Sequence, residues 1–223
     1  GLAPPNEEWF ASMETCIQCR GCETACPSGV PFGELMADTR TATNSGRRPP
    51  LSLRVGLWVL CRPRLLRVGT LLLAVLQRFR LLGSVGILPA RLPLRASRRV
   101  AKAETDVLLF SGCVMDAWMP HVHDAAQQVV EATGATVGRS GIAAGCCGAL
   151  HEHAGIREEA RRLARRVMAA LPGEQLILVD SAGCGAMLKG YGHLLGTEAA
   201  SVFSARVVDV HEWLADRLDR LPT

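Results

Sequence analysis

Apolar and polar positions follow two rhythms along this 223-residue chain. From residue 106 onward, short apolar runs alternate with longer stretches of helical spacing. "DVLLF" is short and almost wholly apolar, as expected of a strand buried on both faces. "VHDAAQQVVEATG" follows, with Val122, Ala126, Val129 and Val130 on one helical face and Gly134 as a stop. "ATV" predicts a second strand. "GIREEARRLARRVMAAL" predicts an amphipathic helix that turns Ile156, Ala160, Leu163 and Val167 inward and pairs Glu158 with Arg162. "QLILVD" and "RVVDV" predict two more strands, and "HEWLADRLDRL" a closing helix. Strand–helix alternation of this kind predicts a mainly parallel sheet with right-handed crossovers.

Upstream the rhythm is helical only. "NEEWFASMETC" predicts a short helix with Asn6 as N-cap and Glu7 and Glu8 in its first turn. "FGELMADTR" predicts another. "TNSGRRPP" reads as a loop and "ILPARLPLR" as irregular. Between them, residues 53–82 read as helix interrupted at Pro63, with an apolar stripe of Leu65, Val68, Leu72, Val75 and Phe79. The expected division is a cysteine-rich module at 1–38, a basic helical linker at 39–105 and an α/β domain at 106–223.

Composition sharpens this picture in one place. Hydrophobic content is 48%, charged content 21%, and the formal net charge only +4. Yet residues 39–103 hold 14 Lys or Arg and no Asp or Glu, so the rest of the chain is net acidic. That asymmetry points to an acidic partner or an anionic surface, unless the arginines are simply solvated on a packed helical hairpin. The longest uncharged stretch there, Val68 to Gln77, is too short for a span, which takes about 20 apolar residues. No signal peptide is visible. Few aromatics interleave the basic residues and no nucleic-acid motif is present, which argues against DNA or RNA as partner. The Gly-rich "SAGCGAMLKGYG" lacks the ordered pattern of a phosphate loop.

The chemistry lies in the nine cysteines. Their clustering is too tight for ordinary disulfides and suits metal or cluster ligation in a reducing compartment. Cys16-x2-Cys19-x2-Cys22-x3-Cys26-Pro27 has the spacing of bacterial ferredoxins, whose soft thiolates hold a [4Fe–4S] cluster. Structural zinc and free thiols are the alternatives. Gly21 and similar small residues let backbone N–H groups approach the sulfurs. In two-cluster ferredoxins the fourth cysteine of such a run serves the other cluster. Cys16, Cys19 and Cys22 would then hold one cluster while Cys26 served a sister motif that the chain lacks. A chain that begins with Gly and lacks that sister is expected to be a fragment. The competing arrangement closes a single cluster with Cys26 or a distal cysteine such as Cys61. Cys61 otherwise reads as a buried, inert thiol.

A second constellation comprises Cys113 in "FSGCV", Cys146 and Cys147 in "GCCGALHEH", and Cys184 in "DSAGCG". Intervals of 32 and 36 residues separate them. Cys113 and Cys184 directly follow predicted strands, and loops at the C-terminal ends of parallel strands converge on one edge. His151 and His153 flank the CysCysGly loop, where they can hydrogen-bond a cluster or accompany electron transfer with a proton. His121 and His123 read as structural.

This pattern resembles the CCG cysteine-rich domain of the heterodisulfide reductase family. With "CRGCETACPSGV", "GCVMDAWMPHVHDA", "AGCCGALHEHAG", "AGCGAMLKGYGHLL" and "ARVVDVHEWLA", the chain resembles the iron–sulfur subunits of glycolate oxidase. Such subunits usually carry two ferredoxin motifs and two CCG domains, and this chain shows one of each. The resemblance implies one or two [4Fe–4S] clusters, on Cys16, Cys19, Cys22 and Cys26 and on Cys113, Cys146, Cys147 and Cys184. It departs at Met187, where the family's five-cysteine set has its last thiol. Four thiolates still suffice for an ordinary cubane.

The implied role is electron transfer from a flavoprotein subunit, which carries FAD and oxidises glycolate or a similar 2-hydroxy acid, toward a quinone-type acceptor. No catalytic residue and no dehydrogenase activity are expected in the chain alone. The expected location is cytoplasmic, with the basic segment docking to the partner or to the inner membrane face. Alternatives are a thiol–disulfide reductase, an iron–sulfur subunit of a glycerol-3-phosphate, lactate or succinate enzyme, and a structural zinc protein.

Overall fold

The computed structural model describes residues 6–44, 49–81, 88–95 and 105–222. The first helix, α1 (Glu7–Thr15), starts as expected at Asn6, whose side chain accepts the Trp9 N–H at 2.9 Å. A tightly wound loop leads to α2 (Gly21–Ala25), and α3 (Phe32–Asn44) follows. Thr43 and Asn44 close α3, while residues 45–48 of the expected loop lie outside the described residues. A helical hairpin comes next, α4 (Leu51–Leu60) and α5 (Pro63–Arg78). Pro63 opens α5, where a missing N–H costs nothing because first-turn N–H groups have no helical partner. Residues 88–95 form neither helix nor strand.

The remainder is the expected alternation, and the fold is α/β. Its elements are β1 (Val107–Phe110), α6 (Val114–Trp118), α7 (Pro120–Ala132), β2 (Val137–Arg139), α8 (Gly141–Ala144), α9 (Ala149–His153) and α10 (Arg157–Ala170). Then come β3 (Leu176–Val179), α11 (Ala182–Lys189), α12 (Tyr191–Leu195), α13 (Glu198–Ala205), β4 (Val207–Asp209) and α14 (Val210–Ala215). The four strands are parallel in the order β2-β1-β3-β4, with Val107 opposite both Val137 and Leu176, and Ile177 opposite Val207.

Successive side chains of a strand point to opposite faces, so each apolar strand feeds two cores. Phe110, Ile177 and Val179 pack with Val167, Leu188, Tyr191 and Phe203 on one face. Val107, Leu109 and Leu178 pack with Val130, Val137, Val210 and Trp213 on the other. Each such fully buried side chain contributes about 1.5–3 kcal/mol.

Four local expectations need correction. The second strand takes only Val137 from "ATV" and runs on to Arg139. On α7 the buried positions are Pro120, His123, Gln127 and Val130, while Val129 is exposed. The face is rotated because Gln127 accepts from Arg139 of β2, and His123 reaches the ends of two strands. On α10, Glu158 pairs with Arg161 and Glu159 with Arg162, each three residues apart, rather than Glu158 with Arg162.

The fourth correction concerns α5. Its buried face is Leu66, Thr70 and Ala74, and the stripe of Leu65, Val68, Leu72, Val75 and Phe79 faces outward, from 39% exposed at Val75 to 72% at Phe79. Small side chains allow close approach to α6, where Thr70 Oγ1 accepts the Trp118 indole N–H at 3.1 Å and Arg67 pairs with Asp116 at 2.5 Å. Among the described residues, no helix is long and apolar enough to cross a membrane.

Candidate metal centres

The strand order makes the second site. β1 connects outward to β2, whereas β3 lies on the other side of β1, so the chain direction switches between β1 and β3. A crevice opens at the carboxyl ends of the strands at such a point. Cys113 caps α6 just beyond β1, Cys184 lies in the first turn of α11 beyond β3, and Cys146 and Cys147 follow α8 beyond β2.

The structure brings all four together. Cys147 Sγ lies 3.4 Å from Cys184 Sγ, and the Gly148 N–H points to Cys146 Sγ at 3.5 Å. Gly148 has φ +92°, and a Cβ there would lie 3.2 Å from the Ala160 carbonyl of α10, so only glycine fits this turn without displacement. Tyr191, fully buried, donates its hydroxyl to the Cys147 carbonyl at 2.7 Å and fixes the loop from behind. Sequence reading missed Tyr191, because nothing local marks an aromatic hydroxyl as a loop support.

Two of the thiols are pushed down in pKa by their neighbours. Hydrogen bonds from Cys113, Cys147 and Cys61 push the Cys146 thiol down, and one from Cys147 does the same for Cys184. The thiols of Cys113 and Cys61 are pushed up, first by donation to Cys146 and then by burial, and Cys147 likewise. A buried set of mutually hydrogen-bonded thiols is the donor chemistry that a soft metal or iron–sulfur group replaces with metal–sulfur bonds.

His151 is buried, with Nε2 3.5 Å from Cys61 Sγ and Nδ1 without a partner. His153 lines the cleft that Cys19 also lines. It is half-buried between α3 and α5, its carbonyl takes an N–H of Arg40 at 2.8 Å, and burial followed by the charges of Arg40 and Arg20 lowers its pKa. His121 is exposed, and His123 is structural as expected. Met187 is buried in the core with Cys147.

The N-terminal site is a surface loop. Cys16 caps α1, Cys22 lies in α2 and Cys26 caps it; Cys19 and Cys22 are exposed. Gln18 and Arg20 take φ of 54° and 59°, the left-handed conformation that coils the chain tightly around one point. Backbone N–H groups of Val30, Ser28 and Gly29 converge on Cys26 and lower its thiol pKa. Such convergent N–H groups form an anion nest suited to a ligated sulfur. A Cβ at Gly21 would sit 3.8 Å from Cys19 Sγ, an ordinary contact, so the small residue is not sterically required there.

The N-terminal loop and the helix that bears Cys184 share one cleft. Ile17, Cys19 and Arg20 line one side, and Ala182, Gly183 and Met187 of the Cys184-bearing helix line the other. Arg40 holds the arrangement, donating through Nη2 to the carbonyls of Met13 at 2.5 Å and Cys16 at 2.7 Å while Nη1 holds His153.

The parallel sheet with cysteines on three converging loops is a cysteine-rich domain, and a family model described as CCG, cysteine-rich domain, matches residues 107–189. Over most of its length the chain is a homologue of glycolate oxidase iron–sulfur subunits, which bears out the resemblance in the sequence. It is 34% identical over 212 residues to the glycolate oxidase iron-sulfur subunit of Escherichia coli (strain K12), covering 88% of this chain and 50% of that protein. It is 26% identical over 252 residues to the probable glycolate oxidase iron-sulfur subunit of Bacillus subtilis (strain 168), covering 97% and 56%. A shorter match, 35% over 112 residues, is to a fumarate reductase (CoM/CoB) subunit of Methanothermobacter marburgensis, covering 49% and 21%. The chain thus spans about half the length of the glycolate oxidase relatives. No solved structure matches it.

Proposed function

We propose that this chain carries electrons within a 2-hydroxy-acid dehydrogenase, through iron–sulfur clusters of the [4Fe–4S] kind at two sites. Cys16, Cys19, Cys22 and Cys26 would hold one, and Cys113, Cys146, Cys147 and Cys184 the other. A bound cluster supplies reversible one-electron storage, which no side chain here offers by itself. The residues position and insulate. The Cys26 turn and the Gly148 N–H direct donors at sulfur, Tyr191 fixes the CysCysGly loop, and Arg40 holds Cys16 and its loop against α9. Cys19, across one cleft from Ala182, Gly183 and Met187 of the helix that carries Cys184, is the single observation that supports the reading.

The names of the relatives point to glycolate as the acid, and the proposal adds a flavoprotein subunit carrying FAD as electron donor and a quinone-type acceptor. No dehydrogenase activity is assigned to this chain alone. The outward face of α5, an apolar stripe beside Arg64 and Arg78 without a single acid, fits an anionic membrane surface on the cytoplasmic side. In that setting the chain is peripheral.

The test is iron, zinc and acid-labile sulfide per chain in protein purified without oxygen. About eight iron and eight sulfide are expected if both sites hold cubanes. Cys19→Ser and Cys146→Ser should each remove about half. Zinc without sulfide would overturn the reading.

A further inference from the structure

Cys61 stands outside the matched segment 107–189, at the C-terminal cap of α4. Yet it is 6% exposed and packs in one buried cluster with Cys146 and Leu163, against which Cys113 also rests. The sulfurs of Cys61 and Cys146 and a ring nitrogen of His151 all lie within 4.8 Å of one another. The corner between α4 and α5 is seated on the CysCysGly loop: a Cβ at Gly145 would lie 3.8 Å from Pro63 Cγ. Beside these sulfurs, buried His151 leaves Nδ1 unpartnered. Two thiols and a buried imidazole whose Nε2 faces Cys61 Sγ at 3.5 Å form a compact set of soft donors, the kind of group that a metal–sulfur site binds or orients.

We propose that Cys61 is a fifth protein thiolate of the site formed by Cys113, Cys146, Cys147 and Cys184, with His151 aligned on its sulfur. The set therefore contains five thiols although residue 187 is methionine. Cys61 joins at Cys146, whereas Met187 lies in the core with Cys147, so the fifth ligand enters from a different side chain environment than the one the sequence pattern leads one to expect. The helical hairpin is then part of the metal site, not only a connection between two modules. This inference rests on the reading of those four cysteines as iron–sulfur ligands.

The experiment compares wild type, Cys61→Ser, Cys61→Ala, Cys146→Ser and Leu66→Ala, all as the full chain purified without oxygen. Iron and sulfide per chain, the visible absorption and the electron paramagnetic resonance spectrum of the reduced protein are recorded. Leu66 is buried in the same hairpin but is not among the residues packed around the sulfurs, so it reports on packing alone. Cys61→Ser and Cys61→Ala are expected to lose up to half of the iron or to change the resonance of the Cys146-dependent cluster, with Leu66→Ala unchanged in both. Wild-type iron and spectrum in the Cys61 variants would overturn the proposal. So would equal iron loss in Leu66→Ala, or Cys61 variants that fail to fold without iron while the iron-free wild type folds. If instead Cys146→Ser loses no iron, the underlying assignment of the four cysteines fails, a result distinct from failure at Cys61.

Discussion

His123 and Asp180 join the two strands that carry the inner site. His123 Nδ1 lies 2.5 Å from Asp180 Oδ2, and its Nε2 lies 2.8 Å from the Ser111 carbonyl, so one imidazole on α7 ties the end of β3 to the end of β1. Ser111 is two residues before Cys113, and Asp180 four before Cys184. Both side chains of the pair are at most 5% exposed. His123→Ala should leave the Asp180 carboxylate buried and unpaired, at a cost of about 3–5 kcal/mol. Denaturant unfolding measures it, and an unchanged midpoint would refute the role.

Gly155 decides how the N-terminal module sits. Its φ is +67°, and a Cβ there would lie 2.5 Å from the Arg40 carbonyl, with the Asn44 side-chain amide as close. Asn44 also donates to the Ala154 carbonyl at this point. Gly155→Ala should lower stability by more than about 1 kcal/mol, since neither the backbone angle nor the space accepts it. Faster proteolysis within α3 than in wild type is the expected readout, and an unaltered cleavage pattern would count against the docking.

Arg40 should resist conservative replacement. Its guanidinium forks to three carbonyls on α1, its cap and α9. An ammonium cannot reproduce that planar geometry. Arg40→Lys is expected to lose about 1–3 kcal/mol, nearly as much as Arg40→Ala. Full rescue by lysine would show that charge alone matters.

The outward stripe of α5 is testable without touching the core. Leu72→Glu and Val75→Glu alter exposed positions, so melting temperature should hold steady. Co-sedimentation with vesicles containing anionic lipid should fall several-fold. Retained vesicle binding, or loss of binding to a flavoprotein partner instead, would reassign the face to protein contact.

Asp106 offers a titration at the start of β1. The Thr136 N–H and hydroxyl both donate to its Oδ2 at 2.7 Å, and they hold its pKa below the ordinary carboxylate value, the backbone bond foremost. A depressed folded pKa stabilises the protein above the ordinary carboxylate value, and that contribution is lost as pH falls through the folded midpoint. Thr136→Ala should raise the Asp106 midpoint only partway, because the N–H remains. Carbon-detected NMR titration reads it, and no movement would exclude the hydroxyl.

Much of this was legible in local sequence. The ferredoxin spacing of Cys16, Cys19 and Cys22 is a property of a dozen consecutive residues. Runs such as "VLLF" and "LILV" declare strands buried on both faces. Parallel topology then carries Cys113, Cys146, Cys147 and Cys184 to one edge without further information, because every strand must end on the same side. The phase of burial was less legible. Periodicity identifies α5 and α7 as helices but does not say which face meets a neighbour. Leu66, Thr70 and Ala74 were buried because α6 offers Trp118 and Asp116 to that side, and His123 and Gln127 because strand ends and Arg139 supply their partners.

By itself, then, the sequence determined the kind of chemistry and the order of elements, since thiol spacing and strand–helix alternation are short-range properties. Only the tertiary structure decided that Cys61 lies beside Cys146, that His151 faces Cys61, and that the α5 stripe faces outward. Those outcomes depend on how a hairpin seats against a loop far along the chain. Packing and hydrogen-bond satisfaction between distant segments set that arrangement, and no local pattern encodes it.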